Sequence, residues 1–316
     1  MSQAAQALVV IGNFDGVHRG HQAVIHAVAR LAKQRELTPK LMTFEPHPAV
    51  TLGRVPPPLL TTIARKRELV RRHCPNLDVV VRAFTPEFAA QSPEQFARTV
   101  LYQELGAKLV MVGYNFRFGR GRSGGFDALE RFGVDLGFDA IAEPLVCDDR
   151  GAWSSTRVRG LIAAGEMDKA SEMLGRPHMV SGQVVRGHQR GRTIGFPTCN
   201  LAGVMEVLPP FGVYAVVVDV RRESDWRALG KGVANIGLRP TVATGVSSPL
   251  VEVHLFGIDE DLYDAELRVH LVSRLRDERQ FAGLDELRVQ IEADGERAQQ
   301  LLVDAVPDPD LEGVWY

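Results

Sequence analysis

The rhythm of apolar residues changes once along this chain, and that change constrains the fold more than any single motif. Through about residue 175 short apolar runs, Leu8–Ile11, Leu41–Phe44, Val79–Val81, Leu109–Val112 and Ile141–Val146, alternate with amphipathic stretches such as Gln22–Lys33, Arg65–Arg72 and Ser92–Leu105. Strands separated by helices predict a parallel sheet covered on both faces. Ser92 is a natural helix cap, with Pro93 at the first helical position and Glu94 in the first turn. From about Gly182 the runs Gly182–Arg186, Gly212–Val220, Gly232–Ile236, Val251–Phe256 and Glu266–Val272 are short, β-branched and divided by Gly, Pro or Asp. That spacing predicts an antiparallel barrel or sandwich. Phe281, Leu284, Leu287, Ile291, Ala298 and Leu301 then fall near helical spacing and predict a closing helix, weakened at Gly295.

Two domains follow, residues 1–176 and 181–316, joined through Leu174-Gly-Arg-Pro-His178. A length of 316 residues is ample for two cores. The tail from Val306 to Tyr316 is expected to be loose, and nothing in the sequence explains its Trp315-Tyr316 ending. A formal net charge of −2 offers no basic surface for nucleic acid. No apolar run nears the roughly 20 residues of a membrane span, and no basic, apolar leader opens the chain. Cys74, Cys147 and Cys199 are odd in number and far apart, as expected of reduced thiols in a cytoplasmic protein. Oligomeric state is not legible.

Gly12-Asn-Phe-Asp-Gly-Val-His-Arg-Gly-His21 follows the first apolar run and opens a helix. A strand that turns on glycines into a helix gathers backbone N–H groups and the positive helix end at one spot, which suits phosphate. His18 and His21 add donors that can follow negative charge as it develops, so the stretch predicts chemistry on a nucleoside triphosphate, with Gly12, Phe14, Asp15 and Gly16 shaping the nucleotide pocket. A plain tight turn with two exposed histidines is the alternative. Trp153-Ser-Ser-Thr-Arg-Val-Arg159 opens another helix, capped by Ser154 or Ser155. Its hydroxyls and arginines (Ser155, Thr156, Arg157, Arg159) predict a second anion site suited to a leaving pyrophosphate. Two further loops lie at carboxyl ends of predicted strands, Thr43-Phe-Glu-Pro-His-Pro48 and Gly113-Tyr-Asn-Phe-Arg-Phe-Gly119, where ligands of such sheets bind. Phe44 and His47 are candidate pocket residues there, and Asn115 is a candidate nucleotide contact that also reads as a turn former.

The second dense stretch is Gly182-Gln-Val-Val-Arg-Gly-His-Gln-Arg-Gly-Arg-Thr-Ile-Gly-Phe-Pro-Thr-Cys-Asn200. Gly187, Gly191 and Gly195 let a loop approach phosphate, and Gly182 is a further candidate nucleotide contact. In an extended segment Thr198 and Asn200 project to one side, where both oxygens can ligate Mg²⁺.

These motifs resemble known ones. The first looks like the HxGH signature of nucleotidylyltransferases, and its Phe-Asp-Gly form resembles the flavin-adenylylating branch. Ser154-Ser-Thr-Arg-Val-Arg159 is similar to that family's Ser-Ser-Thr-x-x-Arg element, and Gly113–Gly119 to its Gly-x-(Asp/Asn)-Phe-x-Phe-Gly element. The second half resembles riboflavin kinase through Gly-Phe-Pro-Thr-x-Asn, Gly212-Val-Tyr-Ala215, Asn235-Ile-Gly-Leu-Arg-Pro-Thr241 and Val251-Glu-Val-His254. The chain is therefore similar to bifunctional prokaryotic riboflavin kinase/FAD synthetases along nearly its whole length. That resemblance implies an α/β fold, with an N-terminal Rossmann-like nucleotidylyltransferase domain of parallel sheet, an antiparallel β-barrel and a terminal helix. It implies ATP and Mg²⁺, with riboflavin and FMN as substrates. It assigns His18, His21 and Arg159 to adenylyl transfer, Glu252 to the general base of phosphoryl transfer, and Phe44, His47 and Arg276 to the flavin. Asp264 stands where the family usually has Gly, and Asp tolerates positive φ better than most residues. A transferase with another acceptor would have no need of the Pro-Thr-Cys-Asn half. A non-enzymatic relative would be expected to have lost His18, His21, Thr198 or Glu252.

Overall fold

The computed structural model describes residues 6–144, 146–187, 195–239, 248–311 and 313–316. The chain divides into two compact units, Met1–Ser155 and Thr156–Tyr316.

In the first unit β1 (Ala7–Ile11), α1 (Arg19–Arg35), β2 (Thr38–Glu45), the single turn α2 (Pro48–Thr51), α3 (Ile63–His73) and β3 (Asp78–Ala83) follow in order. A one-turn α4 (Pro86–Ala89) precedes α5 (Pro93–Gln95), which runs on as a π-helix over Phe96–Glu104; β4 (Ala107–Gly113), α6 (Phe126–Leu136) and β5 (Asp139–Glu143) complete the sheet. All pairings are parallel, in the order β3-β2-β1-β4-β5. The apolar run of β1 is buried on both sides. Leu8 and Val10 join Ile25, Val28, Leu69 and Val70 from α1 and α3, while Ala7, Val9 and Ile11 join Phe96, Val100, Leu101 and Leu129 on the other face. Period-two alternation inside a continuous apolar run is what a strand covered on two faces requires. The strand order reverses beside β1, which puts the loop after β1 at the switch point where such sheets take ligands. Ser92 caps its helix as expected, in a full capping box with Gln95.

The second unit begins with α7 (Ser155–Ala163, whose first residue closes the first unit) and α8 (Met167–Leu174), after a small hairpin of β6 (Cys147–Asp148) and β7 (Gly151–Ala152). The barrel strands are β8 (His178–Val185), β9 (Cys199–Ala202), β10 (Gly212–Arg222), β11 (Asp225–Arg239), β12 (Ser248–Leu255) and β13 (Glu266–Asp277), followed by α9 (Leu284–Leu301). The strands close antiparallel in the order β10-β11-β12-β9-β8-β13. Strand β9 is the element that periodicity alone did not separate, because it is only four residues long and follows a proline. Met167 of α8 lies in the barrel core with Val180, Tyr214, Val216 and Val253, so α8 packs with this unit. Gly295 is accommodated within α9, close to the Phe256 ring. Asp264 adopts φ 63°, as its side chain permits.

The chain end differs from expectation. Strand β10 is buried on both faces: Tyr214, Val216 and Val218 point into the barrel, and Val213, Ala215 and Val217 point toward α9 and Trp315. Trp315 is 4% exposed. Its backbone N–H donates to Asp219 (2.9 Å) and its indole Nε1–H to the Val218 carbonyl (2.9 Å), beside a bulge in the β10–β11 ladder. The tail is therefore a packed cover rather than a loose end, because a large apolar ring has a bulge to fill and polar partners within reach. Trp315→Ala is expected to lower the stability of the barrel by about 3–5 kcal/mol. Urea unfolding followed by far-ultraviolet circular dichroism checks this, and an unchanged barrel midpoint would refute it.

Candidate active sites

The first signature forms a tight, strained turn. Gly12 donates its N–H to the Met42 carbonyl (3.1 Å), and a Cβ at Gly12 would lie 3.0 Å from the Phe14 ring. Phe14 (φ 47°), Gly16 (φ 84°) and Val17 (φ 41°) all take left-handed backbone, which is costly for Phe and for β-branched Val. Burial of Phe14 and Val17 offsets that cost. The turn is also pinned by Asp15. Its carboxylate accepts from Leu60 N–H (3.1 Å), Thr61 N–H (3.0 Å) and the Thr61 hydroxyl (3.1 Å), and Gly16 N–H donates to that same hydroxyl oxygen (3.0 Å). The Ser155 hydroxyl donates to the Asp15 carbonyl (2.8 Å). Asp15, expected at the nucleotide, is 6% exposed, and its carboxylate is occupied by these protein donors. Ser155 is the first residue of α7, which leaves Ser154 just ahead of the helix.

His18 caps α1, its Nδ1 accepting the His21 N–H at 3.3 Å, so in the neutral ring the proton sits on Nε2. The His18 and His21 rings stack at 3.7 Å, and Phe14 lies 4.8 Å from His21. Gly20 makes the stack possible, since a Cβ there would sit 3.1 Å from the His18 ring and 3.3 Å from Trp153. Burial, then His18 and then Lys66 hold His21 well below the ordinary imidazole range. His21 is thus held in its neutral form at neutral pH. Lys66, which sequence reasoning missed, is 4% exposed on α3 and reaches the Thr43 hydroxyl (3.4 Å); that hydroxyl in turn donates to the Asn13 carbonyl of the turn (3.1 Å). The available signal was a lysine on the apolar side of an amphipathic helix. Burial lowers its pKa, and Asp15 and Glu45 oppose that shift.

The remaining candidates of this half are placed less centrally. His47 Nε2 lies 3.1 Å from the Asn13 amide. Phe44 meets Phe84 at 5.4 Å, in a chain of ring contacts running through Phe88 and Phe96 to Phe118. Asn115 is exposed on the loop after β4. Thr156, Arg157 and Arg159 follow Ser155 on α7, counted with the second unit.

In the second unit the register places the polar residues. Asn200 of β9 and Glu252 of β12 are directly opposed, and Glu252 is opposed on its other side by Asn235 of β11. Directly opposed residues carry Cβ atoms about 4.5–5.5 Å apart. Val251 and Val253 point into the core, so Glu252 faces away from it. Thr198, just ahead of β9, lines a cleft of about 360 Å³ with Val184, Cys199, Val253, Leu255 and Tyr263. Burial pushes the Cys199 thiol up to about 11, so it stands protonated at neutral pH beside harder oxygen donors. Hydroxyl, amide and carboxylate oxygens remain, a hard donor set that fits Mg²⁺. Gly187 is needed for packing: a Cβ there would lie 2.4 Å from the Asn200 amide nitrogen. At Gly182 it would lie 2.7 Å from the Ala202 carbonyl. Gly191 lies outside the described residues. Arg276 is engaged by protein groups, its Nε–H donating to Asp294 of α9 (2.9 Å) and its Nη1–H to the Asp277 carbonyl (2.9 Å). The geometry makes it a clamp between β13 and the terminal helix.

The depressed His21 pKa has a signed consequence. The unfolded chain protonates this ring near 6.5 and the folded one only well below that, so the unfolded state binds more protons on acidification. Its contribution to stability is therefore retained above about 6.5 and lost progressively as pH falls toward the folded value. NMR titration of the His21 Cε1–H is expected to show a midpoint well below that of an exposed histidine. An ordinary midpoint would contradict the buried stack.

Comparison with known proteins agrees with this geometry. The FAD synthetase family profile matches residues 1–157 and the riboflavin kinase profile residues 174–302. The bifunctional riboflavin kinase/FMN adenylyltransferase of Escherichia coli (strain K12) is 40% identical over 300 residues, covering 93% of each chain. That of Bacillus subtilis (strain 168) is 35% identical over 303 residues, covering 94% of this chain and 92% of the other. A solved structure described as a macrolide-efflux protein from Streptococcus pneumoniae superposes with a TM-score of 0.82 at 28% identity, covering 95% of both chains. That likeness carries the architecture. Two family profiles in sequence, and relatives aligned along both halves, identify the chain as a member of the bifunctional riboflavin kinase/FMN adenylyltransferase family.

Proposed function

We propose that the chain makes FAD in two ATP-dependent steps, each in its own half, with the division of labour falling between residues 1–176 and 181–316. In the second half the riboflavin 5′-hydroxyl attacks the γ-phosphorus of ATP; the proton passes to Glu252 and ADP leaves. In the first half a phosphate oxygen of FMN attacks the α-phosphorus of a second ATP and pyrophosphate leaves. The observation that carries this reading is the direct opposition of Asn200 and Glu252, far apart in sequence, on neighbouring strands.

Thr198 and Asn200 would hold Mg²⁺, which offsets phosphate charge when bound. Glu252, beside them, accepts the hydroxyl proton. His18 and His21 stabilise charge on the α-phosphate by donating from a stack that the strained turn holds in place, so attack needs positioning rather than a protein nucleophile. Arg157 and Arg159, just past Ser155, hold the departing pyrophosphate, with Thr156 beside them. Gly12, Phe14 and Gly16 shape the turn around the nucleotide, and Asp15 and Arg276 act as scaffold. Phe44 and His47 border the flavin pocket of the first half, and Asn115 contacts the nucleotide. Three free cysteines support a reducing, cytoplasmic setting. Among the described residues no helix is long and apolar enough to cross a membrane.

Riboflavin, ATP and Mg²⁺ incubated with the full chain are expected to yield FMN and then FAD, read by chromatography. Glu252→Gln keeps the size of the side chain but cannot take the proton, and is expected to slow FMN formation by roughly 10²–10⁴. FAD synthesis from supplied FMN should be unchanged in that variant; FMN production at the parental rate would remove Glu252 from the mechanism. His18→Ala and His21→Ala should do the reverse, sparing FMN formation and slowing adenylylation by about a hundredfold or more. Near-normal FAD synthesis in the double variant would overturn the first site.

A further inference from the structure

We propose that His254 is a positioning residue of the phosphoryl-transfer site, a side-chain clamp that holds the approach to β9 and thereby sets where Thr198 presents its hydroxyl. The inference rests on the reading of Thr198 given above. The ladder between β9 and β12 runs through Leu201, Asn200 and Cys199, opposed to Val251, Glu252 and Val253, and stops there. One step further on, the backbone has no ladder partner and Pro197 has no N–H to give. Its carbonyl is the remaining handle, and His254 takes it with a hydrogen bond of 2.8 Å from Nδ1. A carbonyl only accepts, so Nδ1 carries the proton. The imidazole is held edge-on by Phe196 at 5.5 Å and Phe256 at 6.0 Å.

Thr198 therefore lies between two fixed points, Pro197 held by His254 and Cys199 held by the ladder. His254 stands two residues beyond Glu252 and projects to the same side of β12. One strand thus carries the proposed base and also holds the segment bearing the proposed metal ligand, so the spacing between the two is built into a rigid element.

The test uses the full chain, with FMN adenylylation as internal control. His254→Leu is expected to lower kcat for FMN formation roughly ten- to a hundredfold, the scale of a misplacement of about 1 Å, and to raise the Mg²⁺ concentration needed. His254→Asn, which keeps a donor near the position of Nδ1, should recover most of the rate. If the leucine variant does not fold, His254→Asp replaces it, being the size of Asn but unable to donate when ionised. Combined with Thr198→Ala, loss of His254 should add little, because both act through one hydroxyl. Parental rates in the non-donating variant, equal impairment in the Asn variant, or fully additive losses with Thr198→Ala would each overturn the clamp. An unchanged Mg²⁺ response in Thr198→Ala alone would instead sink the metal assignment, and the cycle in kcat would still decide the clamp.

Discussion

A carboxylate removed from water must be met by donors, and this protein uses that requirement to fasten its irregular segments to its regular frame. Asp15, Glu206, Asp219 and Asp294 are all less than a tenth exposed. Asp15 fastens the loop at Leu60 and Thr61 to the strained turn. Glu206 takes both the N–H and the hydroxyl of Ser181 on β8. Asp219 receives Trp315 of the tail and lies 2.8 Å from His270. Asp294 receives Arg276 and so ties α9 to β13. Removing one such carboxylate leaves buried donors unsatisfied, at about 1–3 kcal/mol each, which exceeds the mean gain from an ordinary hydrogen bond.

The same requirement accounts for the partners of two charged residues in the signatures. Asp15 and Arg276 carry charges that a motif reading directs to substrate, yet each is spent on the scaffold. At the start of α1 the first signature leaves two stacked imidazoles, His18 and His21. Burial and the neighbouring His18 and Lys66 favour the neutral form of His21, which avoids a buried cation. In the second half the register sets Glu252 between Asn235 and Asn200 on the neighbouring strands.

Much of the molecule was legible in the residues themselves. Alternation between period-two and helical spacing marked the parallel sheet and the barrel, because burial on one or two faces writes itself into apolar order. The signature from Gly12 to His21 and the Pro-Thr-Cys-Asn segment stood out because few sequences satisfy a tight turn, a helix cap and a hydroxyl–amide pair at once. Ser92 and Pro93 announced their helix for the same local reason.

The sequence by itself determined the two architectures, most of their strands, the local turn chemistry and the family to which the two signatures belong. Only the tertiary structure decided which distant residues meet. The opposition of Glu252 to Asn200 depends on barrel register, in which a slip of one residue would turn every side chain to the other face. Burial of Lys66 depends on how α3 packs against the sheet, and burial of Trp315 on a bulge in a ladder that ends far upstream of it. Gly187 is a glycine because the Asn200 amide comes within contact distance, and at Gly20 the distant Trp153 side chain adds to the crowding from the neighbouring His18 ring. Spacing along a chain encodes local geometry; long-range contacts are set by the closure of sheets and the packing of helices, where the energy lies in surfaces brought together rather than in any one residue.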